Sequence, residues 1–471
     1  MSMNITESIA RADGLDPDDA AIVSDLVAEW RDHYGRNALR DAYYYGKVRV
    51  KDLGVSVSPK FAAKLDPHVD WAAKCVDWWS DRVQYEGIES DDAAVSDRIE
   101  RVMADNDMKN LVHKAVTCSL RHCCSFMAVT AGDMLAGEPA TVVSAYPATA
   151  ASALYDEAKK RIRAGMVVVE SAKPRGTEQR YPVLVYVFTD ADLIVLSRGD
   201  VRSSAWTAEY RPHGMGRVPM EPIAYHATLE RPFGLPRIDS TVMSLVDDAQ
   251  RAMLNMTAAA AFAAAPQKYL MGADKTTAEK IDGSPFAAFV GSIFVGTTNS
   301  KGGIPSFGQL SQMSMQPHTE YMRMLAAQFS NATGVPLSSL GIVTDNPSSA
   351  EAIYAGKEDA VVDIQAFINA CKRSLSSIAV MALAAETNVS YEQAHAAAGV
   401  IDVNFRNPAM PSVVSQSDAM VKQISAIPWL AESDVALREL GYTDEQVNQL
   451  RSVRRRSKGD ALAASIIAEG A

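Results

Sequence analysis

Three observations predict a mostly helical α+β fold. Val242, Leu245, Ala249, Met253, Met256, Ala260 and Ala263 are spaced 3, 4, 4, 3, 4 and 3 apart, a near-heptad apolar seam on one long helix over 239–265. A second stretch, about 350–386, carries Ile364, Phe367, Ile368, Leu375, Ile378 and Leu383 and is longer than most globular helices. Between helical flanks, residues 125–226 break into short β-type runs punctuated by Gly, Pro and Asp.

Asp16-Pro17 starts a helix over 16–34, a second runs over 37–46 to Gly46, a third covers about 67–84 with Trp71, Cys75, Trp78 and Trp79, and a fourth spans 91–124. The β runs are Phe126–Thr130, Thr141–Ala145, Met166–Glu170, Pro182–Phe188, Leu193–Ser197 and Ile223–His226, read as mostly antiparallel. At ~1.5 Å per residue the seam helix is a rod about 40 Å long. Its end, Thr257–Ala265, is nearly all Ala, which permits close helix–helix approach and reads as packed against a neighbour. A Gly-punctuated segment, 267–312, leads to a helix over 316–332 that stops at Thr333-Gly334-Val335-Pro336. The loop to Ser348 follows, then the long helix, a strand at Ile401–Phe405, and helices near 412–426, 432–440 and 443–456.

The chain has 471 residues, 48% hydrophobic and 22% charged, which suits a folded protein with a sizeable core. Its apolar runs, such as Ala258–Ala265, are far shorter than the roughly 20 residues of a membrane span, and the N-terminus lacks a basic-then-apolar leader. Neither a membrane nor a secreted protein is expected. Five irregularly spaced cysteines indicate reduced thiols rather than a disulfide framework. A net charge of −11 argues against tight binding of nucleic acid over a broad face.

Phosphate-loop, dinucleotide, H-E-x-x-H and G-x-S-x-G patterns are absent; Gly46-Lys47 lacks the upstream glycine, with Val48 where Ser or Thr would stand. No catalytic, cofactor-binding or metal site is assigned. His113, Cys118, His122, Cys123 and Cys124 are zinc-type ligands, but their spacing points them in different directions, so core packing is the reading. The Trp71/Trp78/Trp79 cluster and Tyr43–Tyr45 also read as packing. Asp247, Asp248, Glu351, Glu358, Asp359 and Asp363 read as a solvated face that would repel DNA if it lined a channel. Arg451, Arg454, Arg455, Arg456 and Lys458 form the one basic run, suited to DNA phosphates, an acidic partner or a solvated helix end.

Several pieces, in order, resemble tailed-phage portal proteins of the SPP1-like group with its actinobacteriophage relatives. They are Tyr44-Tyr45-Gly46 with the Trp-rich helix ending Arg82-Val83 and Glu86-Gly87; Phe233-Gly234-Leu235-Pro236-Arg237-Ile238; and Ala265-Pro266-Gln267-Lys268 with Gly272. Thr333-Gly334-Val335-Pro336 with Leu340-Gly341, Ser349-Ala350-Glu351-Ala352-Ile353, and Asn404-Phe405-Arg406-Asn407-Pro408 with Asp418, Ala419 and Lys422 complete the series.

The resemblance implies a portal fold with long stem and spine helices, a β-containing wing and a small α/β clip. Carried over, 1–238 is wing, 239–265 stem helix, 266–315 clip, 316–336 second stem helix, 337–349 tunnel loop, 350–408 spine helix and wing return, and 409–471 crown. The tunnel loop would hold Gly341, Ile342, Val343, Thr344, Asp345, Asn346 and Pro347; it departs from a phosphate-contacting loop because Ile342–Ser348 has no Lys or Arg. Met253, Met256, Ala259, Ala260 and Ala263 would form the stem interface. The implied function is non-enzymatic: a homo-oligomeric ring, typically of twelve subunits, at one capsid vertex of the virion, assembled in the host cytoplasm. It would pass double-stranded DNA, and its partners would be the terminase large subunit, major capsid protein, scaffolding protein and head–tail adaptor. Two other readings stay open: another phage head protein such as a minor capsid protein, and a metal-dependent hydrolase using His113, Cys118 and His122.

Overall fold

A computed structural model describes residues 2–49, 67–264 apart from 202 and 204, 268–271, 303–309 apart from 305, 314–342, 358–409, 413–433 and scattered positions from there to 454. The chain divides into two units, Met1–Arg406 and Asn407–Ala471.

The first unit opens with β1 (Ser2–Met3) and helix α1 (Pro17–Tyr44). Pro17 takes the first helical turn with Asp18 and Asp19 beside it, favourable to the helix dipole. Where two helices were expected, α1 runs unbroken through Gly35. Glycine costs roughly 1 kcal/mol in a helix, and burial of Val23, Leu26, Val27 and Trp30 before it and Tyr43 after it outweighs that. The fourth expected helix is instead two, α3 (Ala93–Asp105) and α4 (Met108–His122), following α2 (Trp71–Ser80) and β2 (Tyr85–Ser90). The break falls at Asn106, whose amide donates to the Val102 and Thr141 carbonyls at 2.8 and 2.9 Å and accepts from Val143 N at 2.8 Å. That side chain trades helix continuation for a stitch to the neighbouring strand.

The central region is antiparallel, as its texture predicts, with eight strands among the described residues in place of the six expected runs: β3 (Cys124–Ala131), β4 (Thr141–Pro147), β5 (Ala151–Asp156), β6 (Arg161–Ala172), β7 (Gln179–Phe188), β8 (Asp192–Ser197), β9 (Thr207–Pro212) and β10 (Met220–Ala224). One sheet has the order β5-β6-β7-β8-β9, with β1 added in parallel along β7; the other is β10-β3-β4. Helix α1 lays Leu26 and Trp30 over the first sheet, against Met166, Val185 and Ile194. Phe126, Val167, Phe188 and Met220 form the core between the sheets.

The rod helix α5 (Ser240–Ala264) starts at Asp239, whose carboxylate accepts from Val242 N at 2.8 Å. The ribbon β11 (Lys268–Met271) and β12 (Ser306–Gln309) precedes α6 (Gln316–Thr333). Then come α7 (Glu358–Thr387), α8 (Tyr391–Ala398) and β13 (Ile401–Phe405), which pairs antiparallel with β2 and joins the two ends of this unit. From Ile378 to Ala384 every residue of α7 is buried, the pattern of a helix enclosed on all sides.

The rod's buried positions differ from the expected seam. Val242 and Ala249 face inward, but Val246 and Ala259 are buried where Leu245 is half-buried and Ala260 exposed. A 3.6-residue repeat drifts off a strict heptad, and the added apolar residues give a broader buried face.

In the second unit α9 (Val413–Ala426) precedes a 3-10 turn, Pro428–Glu432, and Met420, Ala436 and Val447 are buried.

Candidate functional site

The root of the rod pair, where α5 begins and α6 ends, is built by the two glycine motifs singled out above. In Phe233–Ile238, the Phe233 ring meets Phe126 and Tyr155 edge-on, Leu235 N donates to Tyr225 O at 2.8 Å, and Arg237 N donates to Leu120 O at 2.8 Å. Gly234 sits at φ +82° with an added Cβ falling 2.1 Å from Tyr225 O, so no side chain fits there. The motif therefore pins the start of α5 to α4 and to the loop after β10.

Arg237 is the centre of this root. Its Nε donates to Cys75 O at 3.0 Å, Nη1 to Tyr225 Oη at 2.9 Å, and Nη2 to Thr333 O. The guanidinium lies 3.6 Å over the Trp79 ring, and Trp79 Nε1 donates to the same Thr333 carbonyl at 3.2 Å. Two donors thus converge on the last residue of α6 and saturate its free C-terminal carbonyl, which an α-helix cannot satisfy internally. Gly334, at φ +69°, then turns the chain away, and Thr333 Oγ1 donates back to Phe329 O at 2.7 Å.

Above this root, Val242, Val246, Ala249 and Ala252 of α5 share one core with Leu325, Ala326 and Phe329 of α6 and with Ala360, Ile364 and Phe367 of α7. Trp71 meets Phe329 at 5.2 Å between ring centres. The tryptophan cluster is this core. Tyr43 Oη donates to Asp247 at 2.9 Å, tying the end of α1 to the rod.

Of the expected interface residues, Ala260 is exposed, Met253 and Met256 are half-buried, and Ala259 is buried within its own subunit. Ala263 lies on α5, its side chain outside the described residues. Gly341 and Ile342 close the 3-10 turn Leu337–Leu340; Val343, Thr344, Asp345, Asn346 and Pro347 lie outside the described residues. So do Glu351, Arg455, Arg456, Lys458 and most of the expected clip, while Arg451 and Arg454 lie exposed on a helical stub. Glu358, Asp359 and Asp363 are exposed, and Asp248 pairs with Arg251 at 3.2 Å.

His122 is committed to structure. Its Nε2 meets Asp41 at 2.7 Å, and Arg121 reaches the same carboxylate at 2.9 Å. Burial raises the Asp41 pKa, but the hydrogen bond and charge of His122 and the charge of Arg121 outweigh it and hold it below the usual value. Cys124 is buried and its thiol is pushed well up by that burial. Among the described residues no group of three His, Cys, Asp or Glu side chains is placed to hold a metal ion, and no helix is long and apolar enough to cross a membrane.

The family model for phage portal protein, SPP1 Gp6-like, matches residues 24–431, most of the chain. The chain belongs to that family. Its relatives include the portal protein of Mycobacterium phage L5, 24% identical over 74% of this chain and 71% of that protein, and the portal protein of Mycobacterium phage D29, 23% identical over 92% and 88%. Among solved structures, a chain from the virion of a native gene transfer agent particle aligns with a TM-score of 0.46 at 14% identity, over 76% of this chain and 86% of that one. A chain from the neck of the native particle gives 0.45 at 15% identity, over 76% and 85%.

The root was half visible in sequence. Both glycine motifs stand out in the sequence, but nothing there marks Arg237 as the residue that joins them. Its acceptors Cys75, Tyr225 and Thr333 lie far from it in the chain, and no local pattern announces them.

Proposed function

We propose that the chain is one subunit of a ring-shaped channel, a dodecamer, at the unique vertex of a phage capsid, through which double-stranded DNA is packaged and ejected and to which the tail is joined. The family match over residues 24–431 carries this reading. The role is structural: the channel hydrolyses nothing, and the terminase large subunit supplies the ATPase. Further partners are the scaffolding protein and major capsid protein during assembly in the host cytoplasm, and a head–tail adaptor in the virion. The paired helices α5 and α6 are the stem, residues 266–315 the clip, 337–349 the tunnel loop, α7 the spine and 409–471 the crown. The Arg237 root holds the stem pair at a fixed angle to the wing. The acidic balance suits a passage from which DNA must be released, since like charge opposes sticking.

Negative-stain micrographs and mass photometry of the purified protein test the reading. Rings with a central hole are expected; closed shells would indicate a capsid protein, and only ~51 kDa particles under all assembly conditions would overturn the ring.

A further inference from the structure

Around Glu221 the balance of charge reverses. Glu221 lies on β10, nearly buried, in an ion pair with Arg217, whose guanidinium also stacks 4.5 Å over the Tyr391 ring. Helix α7 is fixed against β10 here, because Ser374 Oγ donates to Pro222 O at 2.7 Å. The positive charges of Arg373 on α7 and Arg161 at the start of β6 act on the Glu221 carboxylate as well. Strand β6 passes close to β10: an added Cβ on Gly165 would fall 2.2 Å from Met220 Sδ.

One buried carboxylate therefore faces three guanidinium groups from three elements. Arg217 is engaged by the ion pair and the ring. Arg373 is exposed and Arg161 partly so, and neither makes a salt bridge within 4.0 Å among the described residues. Arg161 continues the hairpin turn that carries Lys159 and Lys160, both exposed, while Asp156 in the same turn accepts from Lys159 N at 2.9 Å. With the exposed Glu157, the hairpin end carries two carboxylates against the three cations Lys159, Lys160 and Arg161, and Arg373 on α7 adds a fourth cation, on a chain that is acidic overall.

We propose that Lys159, Lys160, Arg161 and Arg373 form a phosphate-binding surface for double-stranded DNA. A single carboxylate from a partner would engage one guanidinium fork; cations spread over a turn and a helix suit a polyanion with repeated phosphates. Glu221 and Arg217 hold β10 and α8 in place beneath this surface and do not themselves contact the ligand. The choice of ligand rests on the proposed function, but the two readings fail separately, because micrographs read the ring and titration reads this surface.

The test uses the purified full-length protein in its assembled form and a fluorescent duplex of about 30 bp, titrated between ~50 and ~200 mM salt. The variant R161Q/R373Q should bind at least about tenfold more weakly at the low salt, with the slope of log affinity against log salt reduced by about two, as for two lost phosphate contacts. Unchanged affinity and slope would overturn the proposal. So that a folding defect in the variant does not decide the result, the unmutated protein is also treated with phenylglyoxal. The duplex should shield Arg161 and Arg373 but not the exposed Arg175. Equal shielding by inorganic phosphate alone, or displacement of the duplex by a polyglutamate peptide at matched charge, would reassign the surface to a small anion or an acidic protein and overturn the DNA assignment.

Discussion

The indole of Trp79 donates to the main-chain carbonyl of Thr333 at 3.2 Å, deep in the core where Trp79 is only 1% exposed. A helix near the N-terminus thereby holds the end of a helix some two hundred and fifty residues away, and the guanidinium of Arg237, stacked on the same indole, donates to the same carbonyl. Replacing Trp79 by Phe removes one donor but leaves Arg237 in place, so a loss of about 1–2 kcal/mol is expected. Arg237→Met strips the acceptors of Cys75, Tyr225 and Thr333 together and should cost more, about 2–4 kcal/mol. The two changes should be non-additive, because they share one acceptor and a stacked pair. Differential scanning fluorimetry of both variants and the double variant checks this; a Trp79→Phe loss equal to or greater than the Arg237→Met loss would contradict the root as described.

Two glycines of the same root make a graded prediction. Gly234→Ala puts a Cβ into the Tyr225 carbonyl and should prevent accumulation of folded protein. At Gly334, also left-handed, the nearest neighbour of an added Cβ is the Ala360 side chain at 3.3 Å, so Gly334→Ala should fold with a loss of about 1–2 kcal/mol. Gly87→Ala, with open space around it, is the control and should be within about 0.5 kcal/mol of the parent. Soluble yield and Tm of the three variants give the order; a well-folded Gly234→Ala protein would show that the close approach to Tyr225 is not a constraint.

The parts of this fold that could be read in advance are those whose signal is local and repeated. Helices α5 and α7 announce themselves by apolar periodicity sustained over many turns. Strand β9 does not, since Thr207–Pro212 is an edge strand whose residues are all exposed or half-buried. Strand β2 offers only Tyr85 and Ile88 to the interior, and its partner β13 lies at the other end of the unit. The split of α3 from α4 depends on where Asn106 finds its acceptors, again non-local. The root follows the same logic: the glycines that permit it are visible, whereas the carbonyl that Arg237 and Trp79 share exists only once the chain has folded.

Acid should weaken the junction of α1 and α4 in a defined window. Burial, helped by the charges of Arg121 and Arg40, holds the His122 imidazole below its ordinary 6.5 against the opposing hydrogen bond and charge of Asp41. Above 6.5 both folded and unfolded chains hold this group neutral, and its contribution to stability is fully present. As pH falls through that value the unfolded chain takes up a proton that the folded site resists, so stability is lost toward the lower folded pKa. Burial depresses His213 as well, and it adds to the same trend. The Tm of the parent should therefore fall between pH 8 and 5.5 more steeply than that of His122→Asn, and His122→Asn/His213→Asn should be flatter still. Parallel Tm–pH curves for parent and His122→Asn would show that this imidazole carries none of the pH dependence.

Neighbouring alanines on the rod should separate folding from assembly. Ala259 is 7% exposed and packed within its own subunit, while Ala260, the next residue, is exposed. Leucine at 259 overfills a closed core and should cost the subunit about 1–3 kcal/mol. At 260 the added side chain meets solvent in the free subunit, so Tm there should stay within about 0.5 kcal/mol of the parent. In the proposed stem, however, position 260 faces the next subunit, where small side chains let helices approach closely, and Ala260→Leu should reduce the fraction of closed rings in micrographs. The discriminating result is the combination. A Tm loss at 259 with intact Tm and few rings at 260 supports an interface on the outer face of α5; normal ring yield from Ala260→Leu would place the contact elsewhere on the rod.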